Sequence, residues 1–93
     1  MGERNMYITP RIVEVKALQK YYIYIKFKTG EEKVYNMEEY IKDIEFYNKL
    51  KQRKYFENVH PRGCSVEWEN GEDVDPENLY YNSIPFEEFE KED

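Results

Sequence analysis

Cysteine, histidine and tryptophan each occur once in 93 residues, and glycine and proline only four times each. A lone cysteine excludes an intramolecular disulfide, and small secreted domains are commonly disulfide-dense, so a cytoplasmic protein is expected. One His and one Cys fall short of the four ligands of a structural zinc site. No apolar run approaches the roughly 18 residues that span a bilayer. Met1-Gly2-Glu3-Arg4 opens no signal peptide, and Met6 stands where a myristoylation site needs Ser or Thr. No membrane association, cofactor or metal is therefore expected.

What the chain does hold is charge, at 37%, and aromatic rings, at 17%, ten of them tyrosine. Few aliphatic residues are left, so the core must lean on aromatic side chains, and that aromatic content argues against disorder. A domain of this length buries roughly 60 to 65% of its unfolded surface, which predicts one modest core. The net charge is −6, unevenly placed: residues 1–62 carry 13 Lys and Arg against 9 Asp and Glu, a net +4, and residues 63–93 carry 1 against 11, a net −10. A solvated acidic C-terminal part that confers solubility is the favoured reading, ahead of head-to-tail docking or a charged partner.

Along the chain, residues 1–9 read as a flexible leader, residues 10–83 as a single domain and residues 84–93 as an acidic tail. Arg11–Ala17 alternates as a strand with Val13, Val15 and Ala17 inward. Tyr21–Lys28 is the clearest period-two segment, Ile23, Ile25 and Phe27 on one face and Tyr22, Tyr24, Lys26 and Lys28 on the other. A turn at Thr29-Gly30-Glu31 and a strand at Glu32–Tyr35 complete a three-stranded antiparallel meander. Asn36 and Glu39 form a capping-box pattern, and Met37, Tyr40, Ile41, Ile44, Tyr47 and Leu50 then recur at spacings of three and four. They predict a central helix over about residues 37–52, with a break near Asp43. Glu38 with Lys42 and Glu45 with Lys49 add charge pairs four apart.

A second hairpin follows, turning first at His60-Pro61-Arg62-Gly63 and again at Asn70-Gly71, where a type I′ turn would put both residues at positive φ. Asp75-Pro76-Glu77 predicts a capped short C-terminal helix, with Leu79, Tyr80 and Tyr81 closing onto the sheet. Phe86 and Phe89, three apart, pin one last turn, with fraying beyond Phe89. The fold class expected is α+β.

The segment Trp68-Glu69-Asn70-Gly71-Glu72-Asp73-Val74-Asp75-Pro76-Glu77-Asn78-Leu79-Tyr80 resembles the closing signature of the bacterial domain of unknown function 2442. Pro10–Val15 and Phe27-Lys28-Thr29-Gly30 resemble its start, so the likeness spans residues 10–81. Asn36, where members more often carry Asp, and Glu69, where proline is common, depart from the pattern without threatening the fold. The resemblance implies an α+β module with no established activity, some of whose members look like antitoxin-side proteins joined to a helix-turn-helix domain or encoded beside another small protein.

The residues of that signature serve the architecture. Asn70 and Gly71 turn, Asp75 caps, Pro76 initiates, and Trp68, Leu79 and Tyr80 pack. Only the Asp73 carboxylate has no evident structural role. His60 and Cys64 would need to lie within about 3 Å of each other to act as a nucleophilic pair, and no orienting residue or oxyanion loop accompanies them, so no enzyme is expected. The acids Glu67, Glu69, Glu72, Asp73, Asp75 and Glu77 fail the calcium-loop pattern, since Asn78 stands where glycine is required.

Two surfaces remain. Lys49, Lys51, Arg53 and Lys54, followed by Tyr55 and Phe56, combine base and aromatic as a nucleic-acid surface does, though a solvated helix end is the commoner source of such a run. Tyr22, Tyr24, Lys26 and Lys28 could form an exposed aromatic and basic platform for a protein partner or self-association, unless the second hairpin covers it. The preferred expectation is a non-enzymatic interaction module, the antitoxin-like or accessory member of a two-protein bacterial system, with a nucleic-acid-binding regulator as the alternative.

Overall fold

The computed structural model describes residues 9–91, so the expected leader, Thr9 apart, lies outside the described residues. The chain forms an α+β fold around one antiparallel sheet ordered β1-β2-β3-β6, namely Ile12–Ala17, Tyr22–Phe27, Glu32–Asn36 and Ile84–Pro85. Alternation fixes the faces as expected for β2: Ile23, Ile25 and Phe27 are fully or almost fully buried, and Tyr22, Tyr24 and Lys26 look the other way. In β1 the register slips between Ile12 and Glu14. That bulge moves Ile12 inward and turns Val13 out, 53% exposed, which corrects the expectation that Val13 packs in the core.

The helix predicted over about residues 37–52, with its break near Asp43, is three short pieces, α1 (Glu38–Asp43), a 3₁₀ segment (Glu45–Lys51) and α2 (Arg53–Phe56). The break falls at Ile44, which is extended at φ −119° and ψ 115°. A 3₁₀ helix repeats every three residues, so Tyr47 and Leu50 share its inner face while the extended Ile44 is left outside. The capping box does not form: Asn36 Oδ1 accepts the Glu38 amide at 2.9 Å, and Met37 occupies the cap position with no side-chain cap bond. Lys42 pairs with Glu38 at 3.4 Å, whereas the tighter winding takes Lys49 away from Glu45 and over the Tyr55 ring.

The second hairpin, β4 (His60–Arg62) with β5 (Ser65–Glu67), turns at Gly63-Cys64 rather than at Pro61-Arg62, because Arg62 already pairs with Ser65 and Gly63 takes φ +60°. At the second bend only Gly71 has positive φ, +100°, and its amide donates to the Trp68 carbonyl at 2.9 Å. The bend is thus a type I turn over Glu69-Asn70 followed by a left-handed glycine, and not type I′. Past this bend Glu72–Val74 forms no named strand, and a single bridge joins Glu67 to Asp73.

α3 (Pro76–Asn82) begins as predicted: Asp75 Oδ2 accepts the Asn78 amide at 3.0 Å and Pro76 occupies the first turn. Leu79 is fully buried, Tyr80 half-buried with its ring edge-on to Phe27, and Tyr81 is 60% exposed. Beyond Ser83 the chain stays with the fold. β6 pairs with β3, and α4 (Phe86–Lys91) lies across the outer sheet face, Phe86 on Tyr24 at 5.1 Å and Phe89 on Tyr22 at 4.9 Å between ring centroids.

The core on the opposite face is aromatic, as the composition requires. Trp68, fully buried, stacks on Phe56 at 5.7 Å and donates from Nε1 to the Phe56 carbonyl at 2.8 Å. Each such ring is worth on the order of 2–3 kcal/mol in removed apolar surface, so a few rings replace the missing aliphatic side chains.

Candidate functional site

The break at Ile44 leaves two apolar side chains exposed beside a ring cluster. Ile44 is 42% and Phe46 57% exposed. Phe46 packs edge-on against Tyr47 at 5.0 Å, Tyr47 meets Tyr40 at 5.4 Å, and Tyr40 stacks on Tyr35 at 6.2 Å. A row of four rings therefore runs from the surface to the buried end of β3. Backed by a rigid row, an exposed phenylalanine loses little freedom when a partner covers it.

The same corner borders the acidic loop. Tyr47 donates its hydroxyl to the Asp73 carbonyl at 2.7 Å, and burial together with the charges of Asp73 and Glu72 pushes its phenol up. Asp43 and Glu45 flank Ile44 in sequence and are both exposed. An apolar centre with an acidic rim is the result.

Beside the row, between α1 and α3, lies a cleft of about 390 Å³ lined by Tyr35, Asn36, Glu39, Tyr40, Asn78 and Asn82. Tyr35 donates to the Tyr40 hydroxyl at 3.0 Å, Asn78 Nδ2 donates to the same oxygen, and Asn82 Nδ2 donates to Asn78 Oδ1. Asn78 and Asn82 share a helix face because they are four apart. Burial first, then the bond to Tyr40, raises the Tyr35 phenol, with the negative charge of Asp75 adding to it.

The surfaces expected from sequence fare differently. The Tyr22 and Tyr24 rings carry Phe89 and Phe86, so α4, not the second hairpin, covers that half of the platform. Tyr24 donates to Glu32 at 2.6 Å, Lys26 is half-buried, and Lys28 is exposed beside the Thr29-Gly30 turn. In the basic run, Lys49, Lys51 and Lys54 are exposed while Arg53 is tied down: its guanidinium donates to the carbonyls of Leu18 and Lys20, both at 2.6 Å, and its Nε to Glu57 at 2.9 Å. Arg53 thus clamps the β1–β2 turn, where Lys20 sits at φ 55°, and has little left for a phosphate.

His60 and Cys64 bond elsewhere. His60 Nε2 lies 3.4 Å from Glu67, and the Cys64 thiol donates to the Thr9 carbonyl at 3.1 Å. Asp73, which has no evident role in the sequence, contributes its carbonyl to Tyr47 and its charge to the rim. Sequence periodicity does not reveal the Ile44–Phe46 corner, since a continuous helix would turn Ile44 inward. The one signal for it is the unmatched aromatic Phe46, outside the apolar stripe.

Among the described residues no helix is long and apolar enough to cross a membrane, and no group of three or more His, Cys, Asp or Glu could hold a metal ion. No curated protein and no solved structure matches the chain. The family model for a protein of unknown function, DUF2442, matches residues 12–85, the span from the first residue of β1 to the last of β6, and the chain belongs to that family.

Proposed function

We propose that the chain is a non-enzymatic protein-interaction module, the accessory member of a two-protein unit, and that it holds a basic partner at the Ile44–Phe46 corner. The observation that carries this reading is Phe46: a large apolar ring, 57% exposed, fixed at the outer end of an aromatic row and bordered by Asp43, Glu45 and the Asp73 loop. Aromatic anchors with a charged rim are how small interfaces concentrate their binding energy. The acidic rim and the net charge of −6 select for a partner of opposite sign.

The outer sheet face is the lesser contact, because α4 already occupies Tyr22 and Tyr24. The test is purification of the tagged chain from its own host, beside a Phe46→Ser variant. A basic companion that comes with the wild type and is lost with Phe46→Ser supports the reading. A companion retained equally by both, or a clean monomer in both, overturns it.

A further inference from the structure

We infer that the cleft between α1 and α3 is a guanidinium pocket that receives an arginine side chain of the basic partner. The inference rests on the interaction reading above for its macromolecule, but its chemistry stands on the cleft alone. Its volume, about 390 Å³, falls at the small end of ligand pockets, which run roughly from 300 to 1,000 Å³. That suits one long side chain with its water.

Its walls present acceptors on two sides. Glu39 on α1 offers a carboxylate, and Asn82 on α3 offers a carboxamide oxygen, since its Nδ2 is the atom engaged with Asn78. Between them the Tyr35 hydroxyl gives its proton to Tyr40 and retains its lone pairs. No lysine or arginine lines the cleft among the described residues, and Asp75, which caps α3, adds negative charge close to Tyr35.

Acceptors spread over opposing walls match a planar group with five donors held in a rigid fork better than a compact ammonium, whose three donors radiate from one nitrogen. The Tyr40 ring, which stacks on Tyr35 within the same lining, adds an aromatic surface of the kind on which guanidinium groups stack. The hydrogen-bonded series from Tyr35 through Tyr40 and Asn78 to Asn82 holds the wall in place before a ligand arrives, which lowers the ordering cost of binding.

The test is a titration of the isotope-labelled chain with N-acetyl-arginine amide, followed by amide resonances, with N-acetyl-lysine amide and glucose as comparisons. The pocket predicts saturable shifts confined to the backbone and side-chain amides of residues 36–40 and 78–82. It also predicts weaker binding of the lysine compound, no localised shift with glucose, and about a threefold to fivefold loss of arginine affinity in Glu39→Gln, as for a partly exposed ion pair. Equal binding of lysine, shifts scattered over the acidic loop, glucose binding at the same residues, or indifference to Glu39→Gln would each overturn it. A companion lost with Phe46→Ser, together with no cleft response to arginine amide, would remove the pocket and leave the interaction reading intact.

Discussion

Tyr55 donates its hydroxyl to the Glu72 carboxylate at 2.6 Å and accepts the Asn70 amide on the same oxygen at 2.7 Å. One side chain from α2 thereby closes the Asn70-Gly71 bend and satisfies a carboxylate that is only 4% exposed. Tyr55→Phe leaves Glu72 without that donor in a buried place. The expected cost is about 1–3 kcal/mol, read as a lower midpoint in urea with an unchanged far-ultraviolet spectrum.

Arg53 offers a test of structure against nucleic-acid contact. Arg53→Lys keeps the charge but cannot reach two carbonyls and a carboxylate at once, so stability should fall by about 1–2 kcal/mol. Lys51→Gln, exposed and without a hydrogen-bond partner among the described residues, should change it by less than about 0.5 kcal/mol. Equal effects of the two substitutions would contradict the clamp.

Alkali should unfold the chain sooner than a tyrosine-poor domain. Hydrogen bonding to Glu32, aided by burial, pushes the Tyr24 phenol up to about 12 from its ordinary value of 10, and the bond to Glu31 raises Tyr80. Below pH 10 both states keep the phenolic proton and this stabilisation is whole. From about pH 10 the unfolded chain ionises first, so stability declines until the folded groups also titrate, Tyr24 at about 12. On the acid side Glu31 is held below its usual range by the Thr29 hydroxyl and then by Tyr80, so its small contribution is lost as pH falls below 4.5. Melting temperature against pH, with phenolate absorbance followed in parallel, checks both limbs.

The last helix depends on two rings. Removing one half-buried ring in Phe89→Ala should cost about 1–2 kcal/mol, and hydrogen exchange should speed up in α4 while β1 and β2 stay protected. A global loss of protection would instead make α4 integral to the whole fold.

Much of this architecture is readable in the sequence because local rules dominate where neighbours along the chain are neighbours in space. Strict alternation places Ile23, Ile25 and Phe27, and Asp75-Pro76 announces its helix by cap chemistry. What escapes depends on geometry between distant segments. The bulge at Val13 answers the Gly63 carbonyl, which accepts the Ile12 amide at 2.9 Å, and Arg53 acquires its role only when the β1–β2 turn arrives beside it. The central helix reads too long because Tyr47 and Leu50, three apart, satisfy α and 3₁₀ periodicity alike. The shared turn of Phe86 and Phe89 follows from their spacing, yet their destination on Tyr24 and Tyr22 is not written in it.

The interaction account turns on Phe46, and calorimetry with the purified companion weighs it most directly. Phe46→Ala should weaken binding at least tenfold, about 1.4 kcal/mol or more, at unchanged stability of the free chain. An affinity within twofold of the wild type would show that the exposed ring at the end of the aromatic row is not where the partner is held.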